Sequence, residues 1–396
     1  PPDIRLDLGL PDQASPDAGL HDAAADRGPV SDLVPVADRG PVVDQGPDEG
    51  PQPEDLGVDQ GEPDAAQPAP PWVVGETGCG QGIVVALRVS GGGTIHAGCG
   101  GTPDGLGLWR TDDWGAQWAP VEGLGQWRIT DLDAAPEGGL FITGSTTGRT
   151  NDRVIQVAAD GEQTLIYEAS NQVGLFQTRH FARLASGVAL AHSDSGADVA
   201  HRPSDGAPFA GYVRWTTDNQ GYQMQALVDD GRAMYAVGSG AGAPPVIFLP
   251  AGDGQETPPL FQAVHPLPQA LGELVDLAVD GARLLAVGVN RADNGVFVLM
   301  GPADAVDAEA WTAVDLSDRV QGRWRLDGAC IQGENLMVVG SRADLEGLVF
   351  ESRDGGRTWV DAAPDDDTRG WAHCLLLEDG TAVLGGRIGR VAVRRP

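Results

Sequence analysis

The feature that most constrains the fold is a repeat of two short apolar runs joined by a glycine-containing turn. It occurs seven times, at 83–98, 127–144, 180–192, 222–238, 273–288, 324–340 and 371–386. Turns such as Asp230-Gly231 and Asp379-Gly380 suit tight hairpins, because glycine readily adopts the positive φ that they need. A single hairpin cannot bury a face, whereas a closed ring of small sheets can.

We therefore predict an all-β fold, with residues 71–396 forming a seven-bladed β-propeller at about 46 residues per blade. The third repeat is short, so six or eight blades are the alternatives. The last repeat leaves room for only three strands before Val393. We expect Trp72-Val73-Val74 to supply the missing outer strand and to close the ring.

Residues 1–70 have a different composition. They contain 16 acidic residues and three arginines, and no aromatic residue precedes Trp72. Such a segment buries too little apolar area to offset its ordering entropy, so we predict a disordered linker. Its Asp/Pro/Gly-rich composition resembles the linkers that follow the lipid-modified cysteine of bacterial lipoproteins. That resemblance implies a secreted or cell-surface protein with an N-terminal lipid anchor.

The net charge of -31 disfavours nucleic acid and anionic lipid as partners. No run of 18 apolar residues is present, so we expect no membrane-spanning segment and no membrane contact beyond the lipid anchor. We expect a monomer.

The four cysteines form no CxxC motif, which argues against a zinc cluster. Their grouping suggests two local pairs, Cys79 with Cys99 and Cys330 with Cys374. In an oxidising compartment these pairs would be disulfides, and four buried thiols are the alternative.

Two segments match a known turn motif. Residues 352–359 fit the Asp-box pattern S-x-D-x-G-x-T-W throughout, residues 111–118 fit it with Thr for Ser and Gln for Thr, and residues 216–221 form a degenerate third copy. The chain thus resembles the BNR or Asp-box propellers, which include sialidases, sortilin-type receptors and photosystem assembly-factor-like proteins. The resemblance implies a structural role, in the hairpin between a blade's third and fourth strands, for Thr111, Asp113, Gly115, Trp118, Ser352, Asp354, Gly356 and Trp359.

The sequence favours binding over catalysis. The sialidase tripeptide Arg-Ile-Pro is absent, and His201-Arg202-Pro203 lacks the isoleucine. Tyr222 with Glu273 is the one tyrosine–carboxylate pairing that the blade register would permit. We predict no catalytic residues, no metal and no cofactor. A glycoside hydrolase or lyase on the same scaffold, and an envelope assembly factor, are the alternatives.

A ligand would bind where the inner strands begin, around the central channel. Polar and aromatic side chains predicted there are Trp127, Arg128, Arg179, His180, Tyr222, Glu273, Trp324, Arg325, Trp371 and His373. Aromatic rings beside arginines suit sugars, peptides or carboxylates. In the alternative, the tryptophans pack between blades and the arginines pair with nearby aspartates.

Three further aspartates, Asp131, Asp276 and Asp327, occupy similar places in their repeats. We expect them to accept hydrogen bonds from inner-strand amides, with a cation-binding carboxylate ring as the alternative. We expect Asp365-Asp366-Asp367 to be a solvated loop. Our main hypothesis is a non-catalytic extracytoplasmic propeller that binds a protein or glycan.

Overall fold

The computed structural model describes residues 70–100, 106–146, 153–168, 178–193, 199–213, 222–240, 244–251, 260–266, 272–290, 295–320, 324–342, 346–364 and 369–396. Residues 1–69, the degenerate motif at 216–221 and the acidic run at 365–367 lie outside the described residues. The described helices are three short 3₁₀ turns, and none could cross a membrane.

The described strands form seven four-stranded antiparallel sheets, which are the seven predicted blades. In chain order they are β1 (Val73–Glu76), β2 (Ile83–Val89), β3 (Ile95–Gly100), β4 (Gly107–Thr111), β5 (Ala119–Pro120), β6 (Trp127–Ala134), β7 (Leu140–Thr146), β8 (Arg153–Val157), β9 (Gln163–Glu168), β10 (Thr178–Arg183), β11 (Ala189–Ser193), β12 (Val199–Arg202), β13 (Ala210–Val213), β14 (Tyr222–Asp229), β15 (Met234–Gly240), β16 (Pro245–Pro250), β17 (Phe261–Val264), β18 (Gly272–Asp280), β19 (Arg283–Asn290), β20 (Val296–Pro302), β21 (Thr312–Asp315), β22 (Trp324–Gln332), β23 (Asn335–Arg342), β24 (Gly347–Ser352), β25 (Val360–Asp361), β26 (Trp371–Leu376), β27 (Ala382–Gly386) and β28 (Arg390–Arg394). The 3₁₀ turns are Pro136–Gly138, Ala308–Ala310 and Ser317–Arg319.

Blades 1 to 6 each take four consecutive strands, beginning with β2, β6, β10, β14, β18 and β22. Blade 7 combines β26, β27 and β28 with β1. The first strand of each blade is innermost and touches the first strands of its neighbours. Apolar faces of successive blades pack together. Leu285 and Val298 of blade 5, for example, form one cluster with Leu336 and Phe350 of blade 6.

Blade 7 closes the ring as predicted. Val73 pairs with Val393 and Val74 with Ala392, so β1 is the outer strand of the last blade. The Trp72 indole N–H donates to the Ala362 carbonyl of blade 6 at 2.8 Å. The Arg394 guanidinium lies 4.6 Å from the Trp72 ring centre and pairs with the buried Glu351 carboxylate at 2.7 Å.

Both predicted disulfides are present. Cys79 and Cys99 join the segment before β2 to β3, with Cα atoms 5.7 Å apart. Cys330 on β22 and Cys374 on β26 join the inner strands of blades 6 and 7, with Cα atoms 6.0 Å apart. The second disulfide therefore reinforces the interface next to the ring closure.

Every inner strand carries a β-bulge at the same level. The ladder is interrupted after Val84, Ile129, Thr178, Met224, Leu274, Leu326 and Trp371. A bulge inserts one residue, so the positions after it shift relative to those before it. Trp371 is consequently level with Ile129 and Leu326, two residues deeper than Trp127 and Trp324.

The bulge also shows that the three aspartates predicted to occupy similar places are not all at the same level. Asp327 is itself the inserted residue and is level with Thr130, whereas Asp131 and Asp276 each follow the insertion. The placement of Asp327 with the other two is wrong by one residue, because Asp131 is the fourth residue after Trp127, whereas Asp327 is only the third after Trp324.

Two hairpins between third and fourth strands are organised by an aspartate. Between β24 and β25, the Ser352 hydroxyl donates to Asp354 at 2.8 Å, and the Gly356 amide donates to Ser352 Oγ at 2.8 Å. The Thr358 amide and hydroxyl donate to Asp354 at 2.9 and 2.6 Å. Gly356 has a φ of 91°, which disfavours any side chain there. The turn is thus fixed by its own polar groups.

The hairpin between β4 and β5 repeats this arrangement. The Thr111 hydroxyl donates to Asp113 at 2.7 Å, the Gly115 amide donates to Thr111 Oγ1 at 3.0 Å, and the Gln117 amide donates to Asp113 at 2.9 Å. The tryptophans differ in environment: Trp359 is buried in the cluster between blades 5 and 6, whereas Trp118 is half-buried beside the cluster of blades 1 and 7.

We predict that Asp354→Ala lowers the melting temperature at neutral pH. Hydrogen bonds from Thr358 and Ser352 lower the pKa of Asp354 from 3.8 to about 2. A depressed folded-state pKa gives stability that is complete above the unfolded-state pKa and is lost as the pH falls towards 2. Thermal melts between pH 2 and 7 should show the difference from wild type shrinking below pH 4. The control Asp318→Ala should melt like wild type, and an Asp354→Ala variant as stable as wild type at pH 7 would contradict the assignment.

Candidate functional site

The inner strands surround a central channel with a cavity of about 1150 Å³. All inner strands run in the same direction, so they begin at one face and end at the other. We call the face at which they begin the mouth, and the face of the first hairpins the base. Residues from all seven blades reach this region, and those lining the channel are predominantly from β2, β6, β10, β14, β18, β22 and β26.

Charged side chains from three blades line the mouth. Each of these side chains comes from the residue just before the last one that pairs above the bulge. They are Arg128 before Ile129, Glu273 before Leu274 and Arg325 before Leu326. The Arg325 side chain is 69% exposed, and its Nε lies 2.5 Å from Asp327 Oδ1. Arg128 is also exposed. The mouth therefore presents two guanidinium groups, one of them paired with Asp327, together with the Glu273 carboxylate.

The tryptophans lie behind this charged layer. Trp127 is 6% exposed in the cluster between blades 1 and 2, and Trp371 is 1% exposed between blades 6 and 7. Trp324 is partly buried, with the Arg342 guanidinium 5.9 Å from its ring centre. These rings fill interblade space, as in the packing alternative, because large aromatics bury most area where two sheets meet. Arg179 and Tyr222 also lie near the start of inner strands, but their side chains are outside the described residues.

Below the mouth, the residues after the bulge form a second layer that contains Asp131, His180, Asp276 and His373. Asp131 accepts hydrogen bonds from the Leu132 amide at 2.8 Å and from the Phe181 amide of blade 3 at 3.3 Å. The Nδ1 atom of His180 lies 3.7 Å from Asp131 Oδ2.

Asp276 accepts from the Ala329 amide of blade 6 at 2.9 Å. Two carboxylates thus tie one inner strand to the next, as predicted for them. Asp327 instead pairs with Arg325 and accepts from the Ser341 hydroxyl at 3.2 Å. Among the described residues, no group of three or more His, Cys, Asp or Glu side chains could hold a metal ion.

Burial shifts the titration of this layer. Loss of hydration raises the pKa of Asp276 to about 6, although the Ala329 and Leu277 amides oppose the shift. Loss of hydration also lowers the pKa of His373. Near neutral pH, ionised Asp276 is therefore buried, which lowers the stability of the folded protein. Its hydrogen bond with the Ala329 amide offsets only part of this loss.

A third layer near the base was not predicted. Arg88 and Asp133 pair at 2.5 Å across blades 1 and 2, and Asp229 accepts from the Arg183 amide at 3.1 Å. Burial raises the pKa of Asp133 to about 7 and also raises that of Asp229. The two-residue period of a β-strand could have revealed this layer in the sequence, because Asp133 is two residues beyond Asp131 and therefore points to the same side of the strand.

Comparisons with known proteins agree with this architecture. The chain is similar to YCF48 bound to D1 peptide, with a TM-score of 0.58, 14% identity, and coverage of 82% of this chain and 97% of the other. It is similar to YCF48 from Cyanidioschyzon merolae, with a TM-score of 0.60, 13% identity, and coverage of 82% and 99%. It also resembles a catalytically inactive virginiamycin B lyase from Staphylococcus aureus, with a TM-score of 0.57, 9% identity, and coverage of 82% and 99%.

At these identities the likeness establishes the propeller fold alone. No protein-family model matches the sequence, and no curated protein matches it either. The chemistry of this chain must therefore be argued from its own residues.

Backbone hydrogen bonds fix the two carboxylates of the middle layer, which orients them as parts of the wall. Tyr222 is level with Gly272 rather than with Glu273, because both precede the bulge by two residues. Arg202 belongs to His201-Arg202-Pro203, the tripeptide that was compared with the sialidase motif. It lies on β12, away from the channel, and is 5% exposed.

We predict that Asp276→Asn stabilises the protein at pH 8 and leaves it nearly unchanged at pH 4. The folded-state pKa of about 6 lies above the usual 3.8, so the folded protein binds more protons between these values and wild-type stability falls as the pH rises. Asparagine keeps an acceptor for the Ala329 amide and removes the charge. The gain should approach about 3 kcal/mol, measured by urea unfolding at both pH values. Asp318→Asn is the control, and an equal loss of stability at pH 4 and pH 8 would contradict the assignment.

Proposed function

We propose that this protein is a non-catalytic binding module that recognises an extended segment of a protein partner at the mouth of its channel. The observation that carries the proposal is the charged rim, in which Arg128, Glu273 and Arg325 project from three different blades around one opening. A rigid frame with separated charges of both signs selects a partner by charge pattern.

The dimensions support a segment of chain rather than a compact small molecule. Ligand pockets commonly occupy about 300–1,000 Å³, and this cavity exceeds that range. Its wall is polar at every level, from Arg128 through Asp131 to Asp133. A peptide offers backbone and side-chain groups that can satisfy such a wall along its length.

The structural neighbours are consistent with two functional classes. YCF48 was solved with a D1 peptide, which is a precedent for peptide binding on this fold. The virginiamycin B lyase is a precedent for catalysis on it. We favour binding because Asp131, Asp276 and Asp229 of the channel wall hold backbone amides of neighbouring blades. A glycan ligand is less well supported, because Trp127 and Trp371 are buried and offer no open platform.

We further propose that the protein acts outside the cytoplasm, displayed on the acidic segment 1–70 as on a lipoprotein linker. The two disulfides support an oxidising compartment. The hydrogen-bonded hairpins at 111–118 and 352–359 support the resemblance to Asp-box propellers. In this proposal the linker sets the reach of the module, and the channel mouth supplies specificity.

We predict that peptides selected from a displayed random library by the full chain will carry an acidic residue, which pairs with the rim arginines, beside basic residues, which pair with the six carboxylates among the described residues of the channel wall. Arg128→Ala and Arg325→Ala should each weaken the selected peptides by about tenfold, the effect of one charge-assisted contact. Titration calorimetry would measure the loss, and Arg357→Ala, at an exposed hairpin of the base, is the matched control.

Two results would overturn this function. Peptides that bind the double variant Arg128→Ala/Arg325→Ala as tightly as wild type would place the interface elsewhere. Selective binding on a glycan array with no peptide enrichment, or turnover of the bound glycan, would replace the protein ligand with a carbohydrate.

A further inference from the structure

A second cavity of about 340 Å³ lies between blades 2 and 3, towards the base. One wall is a row across blade 2, in which Phe141 pairs with Gln156 and Gln156 pairs with Thr164. The opposite wall is a row across blade 3, in which Ala189 pairs with Arg183 on one side and Arg202 on the other. We call this space the 2/3 cleft.

The cleft exists because blade 3 is built from small residues here. Ala189 stands at the level that Ile95, Leu140 and Met234 occupy in blades 1, 2 and 4. An alanine between two arginines leaves room that a larger side chain would fill.

Two largely buried guanidinium groups converge in the cleft. The side chains of Arg183 and Arg202 are 10% and 6% exposed, and both pair with Asp205, whose side chain is 57% exposed. Asp205 is the one acid among the described residues that line the cleft. The cleft therefore holds one more positive than negative charge, within a protein of net charge -31.

One buried donor in the cleft has no hydrogen-bond partner in the part of the chain that the structure describes. The Nε of Arg202 is inaccessible to solvent and makes no hydrogen bond with any described residue. An unsatisfied buried donor costs free energy, and a charged one costs more.

The molecule contains a completed version of the same arrangement between blades 6 and 7. Arg394 pairs with Ala382 across β27 and β28, as Arg202 pairs with Ala189 across β11 and β12. Arg394 lies over Trp72, and Arg202 lies 5.6 Å over Phe209 in the same relation.

The two arrangements differ in the residue supplied by the preceding blade. In blade 6, Glu351 pairs with Met337, and its buried carboxylate reaches Arg394 at 2.7 Å. In blade 2 the equivalent of Glu351 is Gln156, which pairs with Phe141. Arg202 of blade 3 thus faces the neutral amide of Gln156, whereas Arg394 of blade 7 faces a carboxylate.

We propose that the 2/3 cleft is a binding site for a carboxylate group, which takes the place that the Glu351 side chain fills between blades 6 and 7. The carboxylate pairs with Arg202 and Arg183, and its apolar portion lies against Phe141 and Ile166. The planar guanidinium group can bind a carboxylate through two parallel hydrogen bonds, and the Glu351 carboxylate shows that this anion fits the equivalent place between blades 6 and 7. The site is at the base, apart from the channel mouth, and does not depend on the function proposed above.

Binding of two probes to the full chain tests this proposal. Glutarate represents a free organic acid, and the blocked peptide acetyl-Gly-Glu-Gly-amide represents an acidic protein side chain; glutaramide is the uncharged control. Titration calorimetry measures affinity, and the Nε–H signals of ¹⁵N-labelled arginine report which guanidinium groups are contacted.

Two variants should change the affinity of the site for the probes in opposite directions. Gln156→Glu supplies the internal carboxylate, so it should raise the melting temperature and weaken the probes by about tenfold or more. Asp205→Asn removes the competing carboxylate and should tighten the probes by about tenfold. Gln262→Glu and Asp318→Asn, at exposed positions remote from the cleft, make the same charge changes and should leave affinity unchanged.

Binding of glutarate alone would assign the site to a small organic acid, and binding of the peptide alone would assign it to an acidic side chain of a partner. The proposal is overturned if neither probe binds wild type or Asp205→Asn, or if Gln156→Glu binds them as tightly as wild type. Should Gln156→Glu fail to fold, the response of affinity to Asp205→Asn still decides between these outcomes.

Discussion

Closure of the ring is the constraint on which the other features depend. Seven sheets can bury their faces against one another only if the last meets the first, and the chain achieves this by pairing β1 with β28 in one blade. Trp72, Arg394 and Glu351 reinforce the junction with a hydrogen bond, a stacked guanidinium and a buried ion pair. The disulfide between Cys330 and Cys374 holds the adjacent inner strands together. The channel and its charged mouth exist only within a closed ring.

Much of this architecture follows from the sequence. The repeat of paired apolar runs specifies seven hairpins, and the apolar triplet at 72–74 specifies the closing strand, because these signals depend on local periodicity and turn chemistry. The cysteine grouping gives both disulfides. The bulge on each inner strand leaves no such trace. Aligning the repeats on their tryptophans equated Trp371 with Trp324, although the structure places Trp371 two residues deeper in its strand.

The functional features arise where one blade departs from the common pattern. The level of Arg128 and Arg325 is occupied by Gln223 in blade 4 and by Glu273 in blade 5, so the charge at the mouth differs from blade to blade. Gln156 replaces the carboxylate that Glu351 provides at the equivalent place in blade 6. The first departure could be predicted from the sequence, because the aligned repeats place Arg128, Glu273 and Arg325 at the mouth. The second could not, because it requires the third strands of blades 2 and 6 to be superimposed residue by residue.

Thermal unfolding of two truncated chains tests the closure most directly. A chain lacking residues 1–69 keeps β1 and should melt close to the full-length protein. A chain lacking residues 1–76 loses β1, exposes the edge of β28 and removes the contacts of Trp72 with Ala362 and Arg394. It should melt at a much lower temperature or fail to fold. If the two truncated chains melt at the same temperature, β1 does not close the ring, and the stability of the propeller does not depend on the joining of its two ends.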